Sequence, residues 1–242
     1  MYELLKNLIP KTLIKKNEST IRQLLSFFYI GNRFQCTVCE FKMSKFITLK
    51  KGDKLCPRCG SLSRTRRLWV FLKPKLKNAK ILHFSPSKSI KSRLESVTNI
   101  NYSTTDYAGE FEAMKRLNIE AIDEPDNQYD IIICYHVLEH IENDLKAMQE
   151  LYRITKPDGI CVIQTPFKTG DIYEDSSFRT EKERLLHFGQ KDHVRIYSSD
   201  GLINRLSAVG FHSTKKTFKE APNNRNGFSS EEYIIIAKKP IK

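Results

Sequence analysis

The strongest constraint on the fold is a regular alternation of apolar runs and helical patterns from residue 79 onwards. Residues 129–135 (YDIIICY) form a continuous apolar run, which is typical of a strand buried on both faces of a parallel sheet. The runs at 80–84 and 159–166 are similar, and helical patterns at 85–97, 141–155 and 198–211 separate the strands. Strands that alternate with helices imply parallel crossovers. The sequence therefore predicts an α/β, doubly wound sheet.

Weaker patterns fill the intervals between these elements. They predict a strand at 101–107, a helix at 109–117, a short strand at Asn118 and Ile119, a strand at 212–217 and a final strand at 231–239. Residues 167–197 form a long polar segment without a clear periodic pattern. A segment of this length inside a compact domain is usually functional or disordered.

Two CxxC pairs lie ahead of the alternating region. Cys36 and Cys39 are separated by 16 residues from Cys56 and Cys59, and Gly60 permits a tight turn after the second pair. Each pair presents two thiolates, and four thiolates suit one tetrahedral zinc ion with a structural role. A redox pair and plain buried cysteines are the alternatives. A ribbon of about 40 residues cannot bury enough core alone, so the metal would contribute much of its folding free energy.

Positive charge is concentrated at the start of the chain. Residues 1–80 carry 19 lysines and arginines against 4 acidic residues, a net charge of +15, whereas the other 162 residues sum to −2. This asymmetry suggests an anionic partner, such as nucleic acid or a membrane surface, although a solvated basic face is equally compatible with it. Residues 1–30 predict amphipathic helices that pack on the main domain or touch a membrane peripherally.

No run is long and apolar enough to span a membrane, and the first residues lack the order of a signal peptide, so we expect a cytoplasmic location. The expected domains are a basic helical segment (1–31), a zinc ribbon (32–72) and the α/β domain (73–242).

Polar residues follow the first two strands of this domain. Ser85 is suited to cap a helix, Pro86 to its first position, and Asp106 ends the second strand. Ligands of open α/β sheets bind beyond the carboxyl ends of the strands, where a carboxylate accepts hydrogen bonds from ribose hydroxyls. These residues alone predict a nucleoside ligand without specifying which one.

Residues 129–166 resemble the fourth strand, helix and fifth strand of class I S-adenosylmethionine-dependent methyltransferases. More narrowly, CPRCGSLSRTRRLWVFL, ILHFSPSK and FGQKDHVRIY resemble a group of bacterial zinc-ribbon methyltransferases. The resemblance implies a Rossmann-like seven-stranded sheet with an antiparallel last strand, and S-adenosylmethionine as cofactor. It departs from the family in one respect: His-Phe-Ser-Pro-Ser replaces the usual glycine-rich loop.

The resemblance also implies positions for the cofactor. Asp106 matches the ribose carboxylate. The other matches lie near the methionine moiety (His83, Phe84, Ser85, Pro86), near the adenine (Asn118, Ile119) and beside the sulfonium (Cys134, Tyr135, His136).

Candidate catalytic residues lie at the end of the fourth strand and in the polar segment. His136 is either a general base or a residue that packs beside the sulfonium. Asp192 would orient His193 as a base, or the two would attach the segment to the core. Glu139 and His140 are interpreted as serving the start of the following helix.

Three functions remain open at this point. The leading one is methyl transfer to a small molecule or a glycan or cell-surface precursor. The second is RNA methylation, because a zinc ribbon ahead of this fold also occurs in an rRNA guanine methyltransferase and the first third is basic. The third is a non-catalytic binding module with a degenerate methyltransferase fold.

Overall fold

A computed structural model describes residues 17–50, 52–220 and 222–241. The helices are α1 (Glu18–Ser26), α2 (Ser63–Leu72), α3 (Lys88–Glu95), α4 (Asp144–Ile154), α5 (Glu181–Phe188) and α6 (Ser199–Ala208). The strands are β1 (Ile30–Gln35), β2 (Lys42–Met43), β3 (Ile47–Thr48), β4 (Lys54–Leu55), β5 (Lys80–Phe84), β6 (Asn101–Thr105), β7 (Tyr129–Tyr135), β8 (Thr155–Gln164), β9 (Phe167–Lys168), β10 (Tyr173–Glu174), β11 (Arg195–Ser198), β12 (His212–Lys219) and β13 (Glu231–Lys238).

The chain forms two compact units. The first contains the described residues up to Lys75 together with 88–96 and 219–232, and the second contains 76–87, 97–218 and the described residues from Tyr233. Of the predicted helices in 1–30, α1 is present, while residues 1–16 lie outside the described part. No helix within that part is long and apolar enough to cross a membrane.

The second unit is built on a central sheet with strand order β12-β13-β8-β7-β5-β6. Strands β6, β5, β7 and β8 are parallel, and β13 pairs antiparallel with β8. The α/β class and the antiparallel final strand predicted from the sequence are therefore confirmed. The sheet has six strands rather than seven among the described residues, because Asn118 forms only an isolated bridge with Ala121.

The core of this unit lies between the sheet and helices α4 and α6. Leu82 and Phe84 of β5 pack in one buried cluster with Leu151 of α4 and Leu202 of α6. Alternate residues of a strand point to opposite faces, so His83 points to the other face of the sheet. Burial of these apolar surfaces is the main favourable term in the stability of the sheet.

The predicted helix at 109–117 is wrong. Residues 107–117 form bends and an extended stretch, with a parallel bridge between Thr105 and Lys115. The hydroxyls of two strand threonines explain the difference, since Thr104 accepts the N–H of Met114 and Thr105 accepts the N–H of Leu117. These bonds hold the segment along the end of β6 and take the N–H groups that a helix would need.

The polar segment 167–197 is ordered rather than a simple loop. Strand β11 pairs with both β10 and β9, and α5 begins with a capping box in which Thr180 and Glu183 exchange hydrogen bonds. The Thr180-Glu183 spacing is a sequence signature of a helix start that the sequence analysis missed.

The first unit contains the four cysteines in two turns with the same hydrogen-bond pattern. The backbone N–H of Cys36 donates to the Phe41 carbonyl, and the Cys36 carbonyl accepts the N–H of Glu40. In the second turn the N–H of Cys56 donates to the Ser61 carbonyl, and the Cys56 carbonyl accepts the N–H of Gly60. Glu40 and Gly60 both have a positive φ, 61° and 73°. The first turn connects the antiparallel strands β1 and β2, and the second follows β4, which pairs antiparallel with β3.

Arg66 is the central residue of this unit. Its side chain is fully buried and donates to the carbonyls of Ser61, Lys54, Asn226 and Gly227. The guanidinium also lies 4.5 Å from the ring centroid of Phe46. One side chain therefore joins the second cysteine turn, β4 and the 226–227 segment.

Candidate functional site

The strand order places a crevice at one edge of the central sheet. The chain passes from β5 to β6 on one side and then crosses to β7 on the other side of β5. Ligands of open α/β sheets bind at such a reversal, beyond the carboxyl ends of the strands. In the register, Phe84 lies beside both Thr105 and Cys134, so Ser85, Asp106 and Tyr135 follow at the same edge.

Ser85 and Asp106 form a direct pair at this edge. The Ser85 hydroxyl donates to Asp106 Oδ1 at 2.7 Å, and the Phe111 N–H donates to Oδ2 at 3.2 Å. Asp106 is only 6% exposed. A carboxylate accepts about four hydrogen bonds, so Asp106 retains acceptor capacity toward a ligand.

Ser85 does not cap a helix as expected. It has a φ of +46°, and α3 begins at Lys88, three positions later. Left-handed backbone favours glycine, so Ser85 adopts a conformation that suits glycine, at the position where the resemblance implies the glycine-rich loop. The turn therefore carries local strain, and the Ser85 hydroxyl donates to Asp106.

The predicted adenine residues lie beyond the segment that is bonded to Asp106. The Asp106 N–H donates to the Lys115 carbonyl at 3.2 Å, and Ile119 is buried. Asn118 is half-buried and its side-chain oxygen accepts the N–H of Glu120 at 3.0 Å.

His83 and Cys134 are buried near the carboxyl ends of β5 and β7. His83 Nδ1 lies 2.9 Å from the Tyr102 hydroxyl, and burial lowers the pKa of His83 to about 3, so its ring is neutral at pH 7. Cys134 belongs to the apolar core, where burial raises the pKa of its thiol. Phe84 and Pro86 are buried as well, whereas Tyr135 is half-buried.

The end of β7 carries a cluster of histidine and acidic side chains. His136 has a φ of +54°, its N–H donates to the Gln164 carbonyl, and its Nδ1 lies 3.1 Å from Oε1 of Glu139. Glu139 is 1% exposed. The ring centroids of His140 and His193 lie 4.6 Å apart. The structure thus brings His136 and His193 together around Glu139.

Asp192 contacts His140 rather than forming a hydrogen bond with its neighbour His193. Its Oδ2 lies 3.2 Å from Nδ1 of His140. Asp192 lies in a turn ahead of β11 and is largely exposed, whereas His193 is buried in the cluster. Burial lowers the pKa of His193, and the neighbouring His140 lowers it further, so His193 is neutral at pH 7.

Glu139 and His140 also do not start the following helix. They lie in a short 3-10 turn, Leu138–His140, while α4 begins at Asp144 and Asn143 caps it by accepting the N–H of Lys146. The signal missed in the sequence was the H-x-x-E-H spacing of 136–140, which places the three side chains within one turn of each other.

Arg195 of β11 holds this turn in place. Its side chain is buried and donates to the carbonyls of Leu138, Ile141 and Glu142, and its Nε donates to Glu174 at 2.8 Å. The segment 167–197 is thereby fastened to the turn that carries Glu139 and His140.

The four ribbon cysteines converge in the first unit. All are free thiols, with Sγ atoms within 4.8 Å of one another, and the Cys36–Cys59 and Cys39–Cys56 distances are both 3.7 Å. Four sulfurs bound tetrahedrally at about 2.3 Å from one ion lie about 3.8 Å apart. The group therefore fits a metal ion, as the spacing of the two pairs predicts.

The comparisons with known proteins identify the family. A family model described as a methyltransferase domain matches residues 67–216, more than half of the chain. The chain belongs to the methyltransferase domain family. The enzyme class predicted from the sequence, S-adenosylmethionine-dependent methyltransferase, is confirmed.

One curated relative is a methyltransferase over a short stretch, and solved structures share the fold. A ubiquinone biosynthesis O-methyltransferase of Rickettsia bellii is 44% identical over 50 residues, and the match covers 21% of each chain. The YcgJ protein of Bacillus subtilis has the same fold with a TM-score of 0.51 and 15% identity, over 72% of this chain and 98% of that one. A Haemonchus contortus phosphoethanolamine N-methyltransferase was solved with phosphomonomethylethanolamine and S-adenosylhomocysteine. Its TM-score is 0.53 and its sequence identity 13%, and the match covers 75% of this chain and 54% of that one.

Proposed function

We propose that this methyltransferase binds S-adenosylmethionine at the crevice beside β5 and β7 and methylates a small molecule or a glycan or cell-surface precursor. The observation that carries the cofactor site is the buried Asp106 carboxylate at the carboxyl end of β6, next to the strand reversal. The left-handed turn at Ser85 supports it, since this turn keeps the backbone conformation of a glycine.

Each part of the site would have a separate role. Asp106 would accept the ribose hydroxyls, Asn118 and Ile119 would border the adenine, and residues 83–86 the methionine moiety. The bound cofactor supplies a methyl group that is already activated by its sulfonium. The chain mainly aligns the acceptor with it, an effect worth up to about 7–11 kcal/mol.

A base is required only where the acceptor must lose a proton. His136 and His193 would be the candidates for this base, because His193 is neutral at pH 7 and His136 directly follows β7 beside the cofactor crevice. Asp192 would act through His140, which it contacts.

The test of the cofactor site is calorimetric titration of the purified protein with S-adenosylmethionine and S-adenosylhomocysteine. We expect one micromolar site per chain for each. Absence of binding to folded protein would refute the site. Screening of hydroxylated small molecules and sugar precursors with radiolabelled cofactor would then identify the acceptor.

RNA is the second candidate acceptor, favoured by the +15 net charge of residues 1–80. The aromatic residues of the ribbon argue against RNA as the acceptor. The rings of Phe34 and Phe46 pack edge to face with centroids 5.6 Å apart, and Phe46 is buried. They therefore belong to the core of the ribbon rather than to a surface on which bases stack. Filter-binding assays at increasing salt concentration test whether the protein binds RNA. Affinity for RNA that falls steeply with salt supports this alternative, and no affinity at low salt removes it.

We propose further that the four cysteines hold one structural zinc ion. Four thiolates and Zn²⁺ carry a net charge of −2, which compensates the buried charge of Arg66. Burial lowers the pKa of Arg66, and the thiolates of Cys36, Cys56 and Cys59 oppose that shift. Four protein ligands leave no open position, so the role is structural. Metal analysis should find about one zinc per chain and markedly less in Cys56→Ser; absence of zinc from the native protein would refute the proposal.

A further inference from the structure

Three side chains of the second unit converge in a way that the cofactor site does not explain. Glu139, His140 and His193 each place one ligand atom within 4.8 Å of the other two. Glu139 and His193 are 1% and 3% exposed. A first-row metal ion with bonds of about 2.0–2.2 Å holds its ligand atoms about 3–4 Å apart. Small side-chain rotations are therefore sufficient to bring the three onto one ion.

The same cluster contains buried polar atoms that lack a partner. Among the side chains that the structure describes, Glu139 Oε2, His193 Nε2 and His136 Nε2 are buried without a hydrogen bond. A buried unsatisfied polar atom costs about 1–3 kcal/mol, more for a charged group, and native structures contain few of them. Three such atoms in neighbouring side chains offer lone pairs to one group, and a cation accepts lone pairs.

The outer contacts of the cluster are those of a metal site. Asp192 Oδ2 lies 3.2 Å from Nδ1 of His140, which leaves the Nε2 of that ring to face a ligand. A carboxylate behind a ligating histidine fixes the ring and its tautomer. Arg195 holds the backbone of the turn through three carbonyls, so the ligands lie on a rigid support.

We propose that Glu139, His140 and His193 bind a first-row divalent cation, with His136 beside it after β7. As a metal ligand His193 would not act as a general base, so that role would fall to His136 alone. One carboxylate with imidazoles suits manganese, iron, cobalt or zinc, whereas magnesium and calcium prefer oxygen ligands alone. Three protein ligands leave coordination positions open. This inference rests on the proposed function in one respect: the open positions would take an oxygen atom of the acceptor, next to the cofactor crevice that His136 borders.

The experiment uses the whole chain of 242 residues, loaded with zinc and then passed over a chelating resin. It is titrated with MnCl₂ while electron paramagnetic resonance follows free Mn²⁺. We expect one Mn²⁺ per chain in addition to zinc. Asp192→Asn should weaken binding about 10-fold or more, as typical of outer contacts, and Glu139→Gln and His193→Gln should weaken it at least as much. His212→Gln removes an exposed histidine of β12 and should change nothing.

The proposal is overturned if Mn²⁺ does not bind, or if the Glu139 and His193 variants bind it as the native protein does. Circular dichroism and zinc content verify that each variant is folded. Where Glu139→Gln fails to fold, Glu139→Asp retains the charge, shortens the reach by one methylene and should also bind weakly. Titration with S-adenosylhomocysteine in parallel separates the two proposals, because Mn²⁺ binding needs no cofactor.

Discussion

Replacement of Asp106 by asparagine should weaken cofactor binding without unfolding the site. The side-chain amide keeps one oxygen for the Phe111 N–H, and its NH₂ group donates to Ser85, whose hydroxyl both donates and accepts. The two contacts that Asp106 makes at 2.7 and 3.2 Å therefore survive the change. The substitution removes the negative charge and one acceptor oxygen.

The magnitude follows from the two ribose hydroxyls that the carboxylate would accept. Hydrogen bonds to a charged group contribute about 1.5–3 kcal/mol and neutral ones about 0.5–1.5. Two bonds that lose their charge assistance amount to about 2–3 kcal/mol, or roughly a 30- to 150-fold rise in the dissociation constant.

Calorimetry with S-adenosylhomocysteine measures this change directly. Asp123→Asn, the same replacement at an exposed carboxylate, is the matched control and should bind as the native protein does. A dissociation constant for Asp106→Asn within about threefold of the native value, with unchanged thermal stability, would mean that another group holds the ribose.

Three further predictions concern stability. The unfolded chain protonates His83 below its ordinary pKa of 6.5, whereas the folded chain does so only near 3. The free energy of unfolding should therefore fall by up to about 1.4 kcal/mol per pH unit on acidification between these values. In urea unfolding at pH 6.5 and pH 5, His83→Phe should lose about 1.6 kcal/mol less than the native protein, and equal losses would contradict this. Ser85→Gly should be about 1 kcal/mol more stable than Ser85→Ala, because both lose the hydroxyl and only glycine relieves the positive φ; equal denaturation midpoints would exclude strain. Arg66→Met should lower the free energy of unfolding by about 3–5 kcal/mol and speed the release of the proposed zinc ion to a chelator. A release rate equal to that of the native protein would contradict the central role of Arg66.

The sequence predicted the elements whose pattern comes from burial. Strands β5, β7 and β13 read as apolar runs because they lie inside the sheet, and their bounds agree closely with the structure. The cysteine spacing predicted a four-thiol group for a similar reason, since local turn geometry determines which ligands converge.

The errors arise where side chains from distant parts of the chain decide the local structure. Residues 109–117 have a helical pattern, but the hydroxyls of Thr104 and Thr105 bind their N–H groups. Ser85 has the composition of a helix cap, but Asp106, 21 positions away, takes its hydroxyl. The contact between Asp192 and His140 likewise depends on the fold and has no sequence pattern.

The arrangement around Arg66 has a consequence for the order in which the chain is completed during synthesis. The cysteine unit includes residues 219–232, and Arg66 reaches its carbonyl partners at 226 and 227 only after that stretch has left the ribosome. The two cysteine turns emerge more than 150 residues earlier. For most of translation the nascent chain therefore carries a thiol-rich, arginine-containing half-unit, and early capture of an ion would protect those thiols from oxidation until the last segment arrives.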